Sequence, residues 1–184
     1  MSLDRAIELA TKRHAGQRRK WKIKGVALPY IFHPLDVMRR LWSWGIVDTD
    51  VLIAAVCHDL VEDTNATYYE IEEAFGRQAT VYVEELTFLG EGKKEKEAYI
   101  ATFKKKTTSV GALVIKIADR LCNVEDFQVP SPDYAPKYFH KAAALWEALD
   151  ERQDEIKERF GQESYDALYK DFRKFWEGCL RCPL

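Results

Sequence analysis

The sequence predicts an all-α protein, a bundle of helices with at most one short β-hairpin. Apolar residues recur three and four positions apart along most of the 184 residues, starting with Leu3, Ala6 and Ala10. Glycines and prolines separate these periodic stretches, as Gly16 does at the end of the first one. Alternation typical of strands is slight and is confined to residues 22–31. Together these patterns favour helices throughout.

Composition limits the classes of protein to consider. With 47% hydrophobic residues, 184 residues can bury the core of one domain, and we expect a single domain over residues 1–184. The net charge of −2 predicts no nucleic-acid partner. No apolar run approaches the roughly 18 residues of a membrane span, and the charged start lacks the apolar core of a signal peptide. We therefore expect no membrane partner and a cytoplasmic protein.

The helices can be placed approximately from their signals. The first is expected to end near His14, and another to run from Pro34 to about Gly45. The second of these is predicted to turn four apolar side chains inward, namely Leu35, Met38, Leu41 and Trp42. Two long helices, at about residues 138–156 and 165–176, are predicted to close the domain.

The four cysteines do not form the pattern of a disulfide framework. Cys57 and Cys122 lie in apolar helical contexts and are interpreted as small core residues. Cys179 and Cys182 have the Cys-x-x-Cys spacing, but without a second pair of Cys or His residues this is a weak zinc signal. We interpret them as reduced thiols in a frayed tail.

The central feature is an apolar run that ends in four polar residues. Residues 51–57 are all apolar, which predicts a helix buried on every side, and His58, Asp59, Glu62 and Asp63 follow it. On a helix, Glu62 and Asp63 lie about one turn beyond the His-Asp pair, on an overlapping face. The pair could hold a metal ion while Glu62 or Asp63 handles the proton of an attacking water. The alternative is a core histidine with a solvated acidic cap; the buried run and the second acidic pair favour a site.

A second apolar run, residues 112–115, leads into Lys116, Asp119 and Asn123, which share one helix face. A buried aspartate needs a partner. Lys116 could supply it in an internal ion pair. Alternatively, Asp119 completes a metal site while Lys116 and Asn123 contact substrate; the other members of that site would be His33, His58 and Asp59.

A basic segment lies between the first two predicted helices. No acidic residue occurs from Leu9 to Leu35, and seven Lys and Arg residues fall within thirteen positions, namely Lys12, Arg13, Arg18, Arg19, Lys20, Lys22 and Lys24. Such a run is usually solvated, but it could also bind phosphate or nucleic acid. Its position beside His33, which Pro34 places just outside a helix start, favours a small-molecule phosphate. A helix-flanking core histidine is the alternative for His33.

Five motifs in this order and spacing resemble the HD-superfamily hydrolase domain of RelA/SpoT proteins. They are HAGQRRK (14–20), PYIFHP (29–34), HDLVEDT (58–64), ELT (85–87) and KIADRLCN (116–123). The sequence is most similar to the small stand-alone hydrolases of the metazoan SpoT homologue type, over about residues 4–150. The resemblance implies one all-helical HD hydrolase domain, with the C-terminal helices 137–178 packed on it.

The resemblance also implies a reaction and a site. The reaction is removal of the 3′-pyrophosphate from ppGpp or pppGpp, a small-molecule nucleotide substrate, without a synthetase domain. One divalent ion, typically Mn²⁺, would be held by His33, His58, Asp59 and Asp119, a donor set that suits Mn, Fe or Zn better than calcium. Glu62 and Asp63 would position or deprotonate the water. Phosphates would contact Arg18, Arg19 and Lys20, and the nucleotide would contact Lys116, Asn123 and Tyr138.

One residue departs from the pattern. Many relatives carry a base two residues after the asparagine of the last motif, where this chain has Glu125. If Glu125 faced the pocket, like-charge repulsion would weaken binding of a tetraphosphate. This leaves a related phosphohydrolase acting on NADPH or a nucleoside monophosphate as an alternative. A catalytically silent nucleotide sensor is a second alternative, disfavoured because all four ligands and both acids are present.

Overall fold

A computed structural model describes residues 2–20, 22, 24–128 and 143–180. The first half contains α1 (Leu3–Arg13), α2 (Phe32–Ser43), α3 (Thr49–Cys57), α4 (Leu60–Asp63), α5 (Tyr68–Phe75) and α6 (Arg77–Leu86). The second half contains α7 (Lys93–Ala101), a 3₁₀ turn (Thr102–Lys104), α8 (Val110–Gln128), α9 (Ala143–Glu151), α10 (Gln153–Phe160) and α11 (Gln162–Leu180). The predicted all-α class is confirmed. The expected hairpin is reduced to a single antiparallel bridge between Arg18 and Pro29.

Helix α3 is the centre of the fold. Its residues from Val51 to Cys57 are all buried, as the unbroken apolar run predicts. Helices α1, α2, α5, α6 and α8 pack around it. Asp48 begins the helix, since its carboxylate accepts a hydrogen bond of 3.1 Å from the backbone N–H of Val51. These helices surround α3, and the polar residues follow directly after its last residue, Cys57.

The helix does not continue unbroken from the apolar run to Glu62 and Asp63. Helix α3 ends at Cys57, His58 and Asp59 form a turn, and α4 begins at Leu60. Asp59, with φ −97° and ψ −1°, lies at the edge of the helical region, and the backbone N–H of Asp63 still donates to its carbonyl at 2.8 Å. Glu62 and Asp63 therefore lie about one turn beyond His58 and Asp59, but not on one regular helix.

Two further expectations are wrong in detail. Helix α2 starts at Phe32, so His33 lies in its first turn rather than outside the helix. The buried face of α2 is also rotated relative to the predicted one. Val37 and Leu41 are buried, whereas Trp42, which was predicted to point inward, is 59% exposed. Trp44, just past the helix end, takes the buried position.

The C-terminal helices pack against the second half of the chain. The first predicted long helix is divided at Arg152, which separates α9 from α10. The indole rings of Trp146 in α9 and Trp176 in α11 stack at a centroid distance of 5.6 Å. Arg40 joins α11 to α2 through an ion pair of 2.6 Å with Asp171. None of the described helices is both long and apolar enough to span a membrane.

Candidate active site

His58 lies at the buried end of α3, in the turn before α4. Its Nδ1 is 2.8 Å from the carbonyl oxygen of Ala55, so Nδ1 carries the proton that it donates. In the neutral imidazole, Nε2 therefore presents a lone pair to the interior. Within the described part of the chain this buried atom has no hydrogen-bond partner. An imidazole nitrogen fixed in this way is the usual arrangement of a histidine that ligates a metal ion.

Three side chains from three other positions converge on Nε2 of His58. Oδ2 of Asp59 is 3.1 Å away and Oδ1 of Asp119, from α8, is 3.9 Å away. His33, from α2, brings its own Nε2 to 3.2 Å from the same oxygen of Asp119 and 3.7 Å from that of Asp59. Donor atoms of His33, His58 and Asp119 all lie within 4.8 Å of one another, close enough to hold one metal ion. Two imidazoles and neighbouring carboxylates fit a divalent transition metal.

The carboxylates give this cluster a strong preference for positive charge. Burial alone lowers the pKa of His58, but Asp59 and then Asp119 outweigh it and raise the pKa to about 9. For Asp119 burial acts in the opposite direction and raises the pKa. Lys116 and the two histidines outweigh it and hold the pKa of Asp119 well below its ordinary value. A bound cation would take the place of the proton on His58 and balance the same carboxylates.

Asp119 also makes the internal ion pair that the sequence left as an alternative. Its Oδ2 is 3.1 Å from Nζ of Lys116, while Oδ1, which faces the histidines, accepts a 2.5 Å hydrogen bond from Nδ2 of Asn123. The ion pair and the convergence on the histidines are therefore compatible, since they use different oxygens. The shared helix face of Lys116, Asp119 and Asn123 makes this possible.

Tyr30 was not among the predicted site residues, yet it connects two of them. Its hydroxyl lies 2.6 Å from Oδ2 of Asp59 and 2.9 Å from Oδ2 of Asp63. Burial raises the pKa of this hydroxyl, and the two carboxylates raise it further, so it stays protonated. The signal in the sequence was its position in PYIFHP, three residues before His33, but an aromatic residue there is also consistent with core packing.

Glu62 and Asp63 lie beside the cluster at a cavity of about 120 Å³. Oε2 of Glu62 accepts a 3.1 Å hydrogen bond from the backbone N–H of Phe88, and the carbonyl of Asp63 accepts one of 2.8 Å from Gln17. The polar and charged groups around the cavity, apart from those two, are Tyr30, His33, Asp59, Lys96, Tyr99, Lys116, Asp119, Arg120 and Asn123. The acids thus line the same space as the potential metal ligands.

The basic segment does not line the cavity directly, although Arg19 contacts Tyr30 and Asn123, which do. Among the described residues that line the cavity, Arg18, Arg19 and Lys20 are absent. The guanidinium of Arg19 bonds instead to Asp126, at 2.5 Å, and to Asn123, at 2.8 Å. Arg18 and Lys20 are exposed. Tyr138 lies outside the described residues.

Glu125 does not line the cavity. Its carboxylate pairs with the guanidinium of Arg40, which also bonds to Asp171. Burial lowers the pKa of Arg40, but Glu125 and Cys122 outweigh it and raise the pKa, so Arg40 stays charged. The acid at this position therefore joins α8 to α2 and does not face the His-Asp cluster.

An all-α fold with a buried His-Asp cluster and two carboxylates beside it defines a metal-dependent hydrolase. The model of the HD domain family matches residues 6–156, so the chain belongs to the HD-domain family. It is similar to the human guanosine-3′,5′-bis(diphosphate) 3′-pyrophosphohydrolase MESH1, with 35% identity over 159 residues, 83% of this chain and 87% of that protein. The Xenopus tropicalis MESH1 is 40% identical over 129 residues, 70% of each protein.

Longer relatives and solved structures agree with this family. The guanosine-3′,5′-bis(diphosphate) 3′-pyrophosphohydrolase of Aquifex aeolicus is 30% identical over 182 residues, and the chain spans 25% of its length. A solved structure of a metazoan ortholog of SpoT, described as hydrolysing ppGpp, matches with a TM-score of 0.73 and 29% identity over 94% of both chains. The resemblance drawn from the five motifs is confirmed.

Proposed function

We propose that this chain is a metal-dependent hydrolase that removes the 3′-diphosphate of guanosine 3′,5′-bis(diphosphate), or of its pentaphosphate analogue, as pyrophosphate. The observation that carries the proposal is the buried cluster of His33, His58, Asp59 and Asp119 beside a cavity that also contains Glu62 and Asp63. Similarity to ppGpp hydrolases over most of the chain supports the choice of substrate.

The four cluster residues are the proposed ligands of one divalent ion, and Mn²⁺ suits their mixed nitrogen and oxygen donors. When bound, such an ion polarises a phosphoryl oxygen and makes water a better nucleophile. His58 suits ligation because Ala55 fixes its Nδ1, while Nε2 makes no hydrogen bond with the described residues and faces Asp59 and Asp119. Asp59 and Asp119 supply the negative charge that balances the ion.

Glu62 is the proposed general base. The N–H of Phe88 fixes one oxygen of its carboxylate, and the other oxygen remains available for a water proton. Asp63, oriented by the hydroxyl of Tyr30, holds the water for attack. Water adds to the phosphorus next to the ribose 3′-oxygen, the bond between these two atoms breaks, and the 3′-oxygen takes up a proton. GDP and pyrophosphate result from ppGpp, and GTP and pyrophosphate from pppGpp.

We also propose that residues 1–184 form one hydrolase domain that includes the C-terminal helices. The contact between Arg40 in α2 and Asp171 in α11 supports this, since it ties α11 to the helix that carries His33. The NADPH and monophosphate alternatives depended on Glu125 facing the pocket. Its pairing with Arg40 removes that reason for preferring them.

The test is product analysis of ppGpp incubated with chelator-treated protein, with and without added Mn²⁺. We expect metal-dependent release of GDP and pyrophosphate in equal amounts. Asp119→Asn should lose metal and turnover, whereas Glu62→Gln should keep metal and lose turnover. Glu125→Gln is the matched control and should remain active. Intact ppGpp after incubation with the manganese-loaded protein would contradict the proposal, and NADPH and nucleoside monophosphates would then be tested in its place.

A further inference from the structure

Charges of both signs line the cavity. Its acidic groups are Asp59, Glu62, Asp63 and Asp119. Its basic groups include Lys96 from α7 and Lys116 and Arg120 from α8, and the rings of Phe88 and Tyr99 line the same space. A substrate that carries several phosphates needs cations beyond the metal ion, because each additional phosphate must be balanced in a partly desolvated space. The two lysines are candidates for this role.

The two lysines are not equivalent. Lys116 is buried and its ammonium is already paired with Asp119 at 3.1 Å. Lys96 is exposed at the mouth of the cavity, and no carboxylate of the described residues pairs with it. On the same helix, Lys93 is paired with Glu97 at 3.6 Å. Lys96 is therefore a cation at the cavity whose charge is available to a ligand.

Lys96 is held in place by an aromatic ring. Its Nζ lies 5.5 Å from the ring centroid of Phe88, within the range of a cation–π contact. The Phe88 ring in turn packs against Tyr99 at 5.3 Å, and Lys116 lies 5.6 Å from the Tyr99 ring. Because the Phe88 N–H also holds Glu62, the same residue positions the proposed base and the Lys96 ammonium.

The loop before α7 is shaped to allow this contact. A Cβ atom at Gly90 would lie 2.9 Å from two carbons of the Phe88 ring and 2.6 Å from Oε2 of Glu95. The same Glu95 oxygen accepts a 2.8 Å hydrogen bond from the N–H of Glu91, which fastens the loop to the first turn of α7. Glycine at this position lets the loop fold closely over Phe88 without displacing that ring or the Glu95 carboxylate.

We propose that Lys96, supported by Phe88, binds the outer phosphate of the 3′-diphosphate and makes the site selective for a diphosphate over a monophosphate. The inference rests on the proposed function and adds a specificity-determining residue to it. With the inner phosphate at the His-Asp cluster, the outer phosphate extends towards the cavity mouth, where Lys96 is located. A monophosphate ends short of Lys96 and gains nothing from its charge. Arg19 does not take this role in the structure, because its guanidinium donates hydrogen bonds to Asp126 and Asn123.

The test compares Lys96→Gln with Lys94→Gln, an exposed lysine of the same helix that does not line the cavity. Binding of inorganic pyrophosphate and of orthophosphate to the manganese-loaded protein is measured by calorimetry. We expect Lys96→Gln to weaken pyrophosphate binding about 10-fold, the effect of one charge-assisted hydrogen bond, and to leave orthophosphate binding nearly unchanged. Lys94→Gln should match the wild type for both anions.

Kinetics with ppGpp provide a second readout. Lys96→Gln should raise KM for ppGpp by about 10-fold with little change in kcat, since it removes binding of the substrate and leaves the reacting atoms untouched. Phe88→Leu, which keeps the backbone N–H but removes the ring under Lys96, should change KM in the same direction. Circular dichroism and thermal unfolding establish that each variant is folded.

Three outcomes decide between the proposals. Equal behaviour of Lys96→Gln and Lys94→Gln would overturn the role of Lys96. Equal loss of pyrophosphate and orthophosphate binding would overturn selectivity, because Lys96 would then act on any anion in the site. If the wild type leaves ppGpp intact but binds pyrophosphate through Lys96, the proposed substrate fails while the diphosphate subsite stands.

Discussion

The hydroxyl of Tyr30 lies 2.6 Å from Oδ2 of Asp59, an oxygen that is itself 3.1 Å from Nε2 of His58. The same hydroxyl is 2.9 Å from Oδ2 of Asp63. One phenol has a single proton to donate, so it can satisfy only one of the two carboxylates at a time. Tyr30 is therefore placed to donate to a proposed metal ligand or to a proposed water-positioning acid, and its hydroxyl lies between their carboxylates.

Tyr30→Phe should impair metal binding, turnover or both, with little loss of stability. Groups that orient metal ligands typically contribute 10- to 100-fold in affinity or activity, and we expect an effect of about that size. Manganese affinity and kcat for ppGpp provide the measurements. Tyr69→Phe is the matched control, because Tyr69 is 74% exposed and lies on α5, away from the cluster. Unchanged affinity and kcat in Tyr30→Phe would show that the hydroxyl has no positioning role.

Asp119→Ala should abolish metal binding and also destabilise the fold. The substitution leaves the ammonium of Lys116 buried without its 3.1 Å partner, and breaking a buried ion pair costs about 3–5 kcal/mol. Metal content by mass spectrometry and chemical denaturation measure the two effects separately. The double variant Lys116→Met/Asp119→Leu should regain most of the stability while remaining unable to bind metal. Failure to regain stability would mean that the cost comes from packing rather than from the unpaired lysine.

Residues whose role depends on helical periodicity could be predicted from the sequence. The run at residues 51–57 indicated the buried helix, and the spacing of Lys116, Asp119 and Asn123 placed them on one face, which the structure reproduces. His33 from α2 and Asp119 from α8 reach His58 because α2 and α8 both pack against α3. Sequence spacing alone does not specify that convergence; it left the four-residue metal site as one of two interpretations of Asp119, and the five ordered motifs favoured it.

Contacts that depend on tertiary structure could not be predicted in the same way. The hydrogen bonds of Tyr30 with Asp59 and Asp63 join residues 29 and 33 positions apart. The pairing of Glu125 with Arg40 spans 85 positions. From the sequence, Glu125 could face either the cavity or a neighbouring helix, and no local signal distinguishes these two possibilities. The phase error in α2 has a similar origin, since Trp42 and Trp44 are equally apolar.

The two cysteines in the described core should be protected from thiol reagents while the protein is folded. Burial raises the pKa of Cys57 to about 12, and burial, opposed by Arg40, raises the pKa of Cys122 to about 12 as well. Very little reactive thiolate is then present at pH 8. In the double variant Cys179→Ser/Cys182→Ser, whose substituted side chains lie outside the described structure, we expect no rapid reaction with an aromatic disulfide reagent. Both remaining thiols should react in guanidinium chloride; rapid native reaction of either would contradict its burial.

Glu125→Gln should leave the kinetics with ppGpp unchanged and slightly reduce stability. Its carboxylate pairs with Arg40 away from the cavity, and its side chain is 45% exposed, so the pair contributes less than about 1 kcal/mol. KM for ppGpp and the denaturation midpoint are the measurements. Tighter binding of ppGpp by the variant would show that Glu125 repels the substrate, and it would restore the case for NADPH or a nucleoside monophosphate.

The pH dependence of turnover should report the ionisation of Glu62. The side chain of Glu62 reaches solvent at the cavity, but the protein around it removes part of its hydration. This desolvation is the largest influence on its pKa and raises it above the ordinary glutamate value. The Phe88 N–H and Lys116 lower the pKa and oppose the rise only in part. A general base acts when deprotonated, so kcat should fall as the pH is lowered through this raised pKa. Glu62→Gln should remove that limb of the profile and lower kcat by roughly 10²- to 10⁴-fold, whereas the exposed Glu73→Gln should retain both. An unchanged acidic limb in Glu62→Gln would assign the general base to a different group.

The raised pKa of Glu62 also affects stability. Because the folded protein binds the Glu62 proton more tightly than the unfolded chain, stability falls as the pH rises through the folded pKa, and metal-free Glu62→Gln should be no less stable than the wild type at neutral pH.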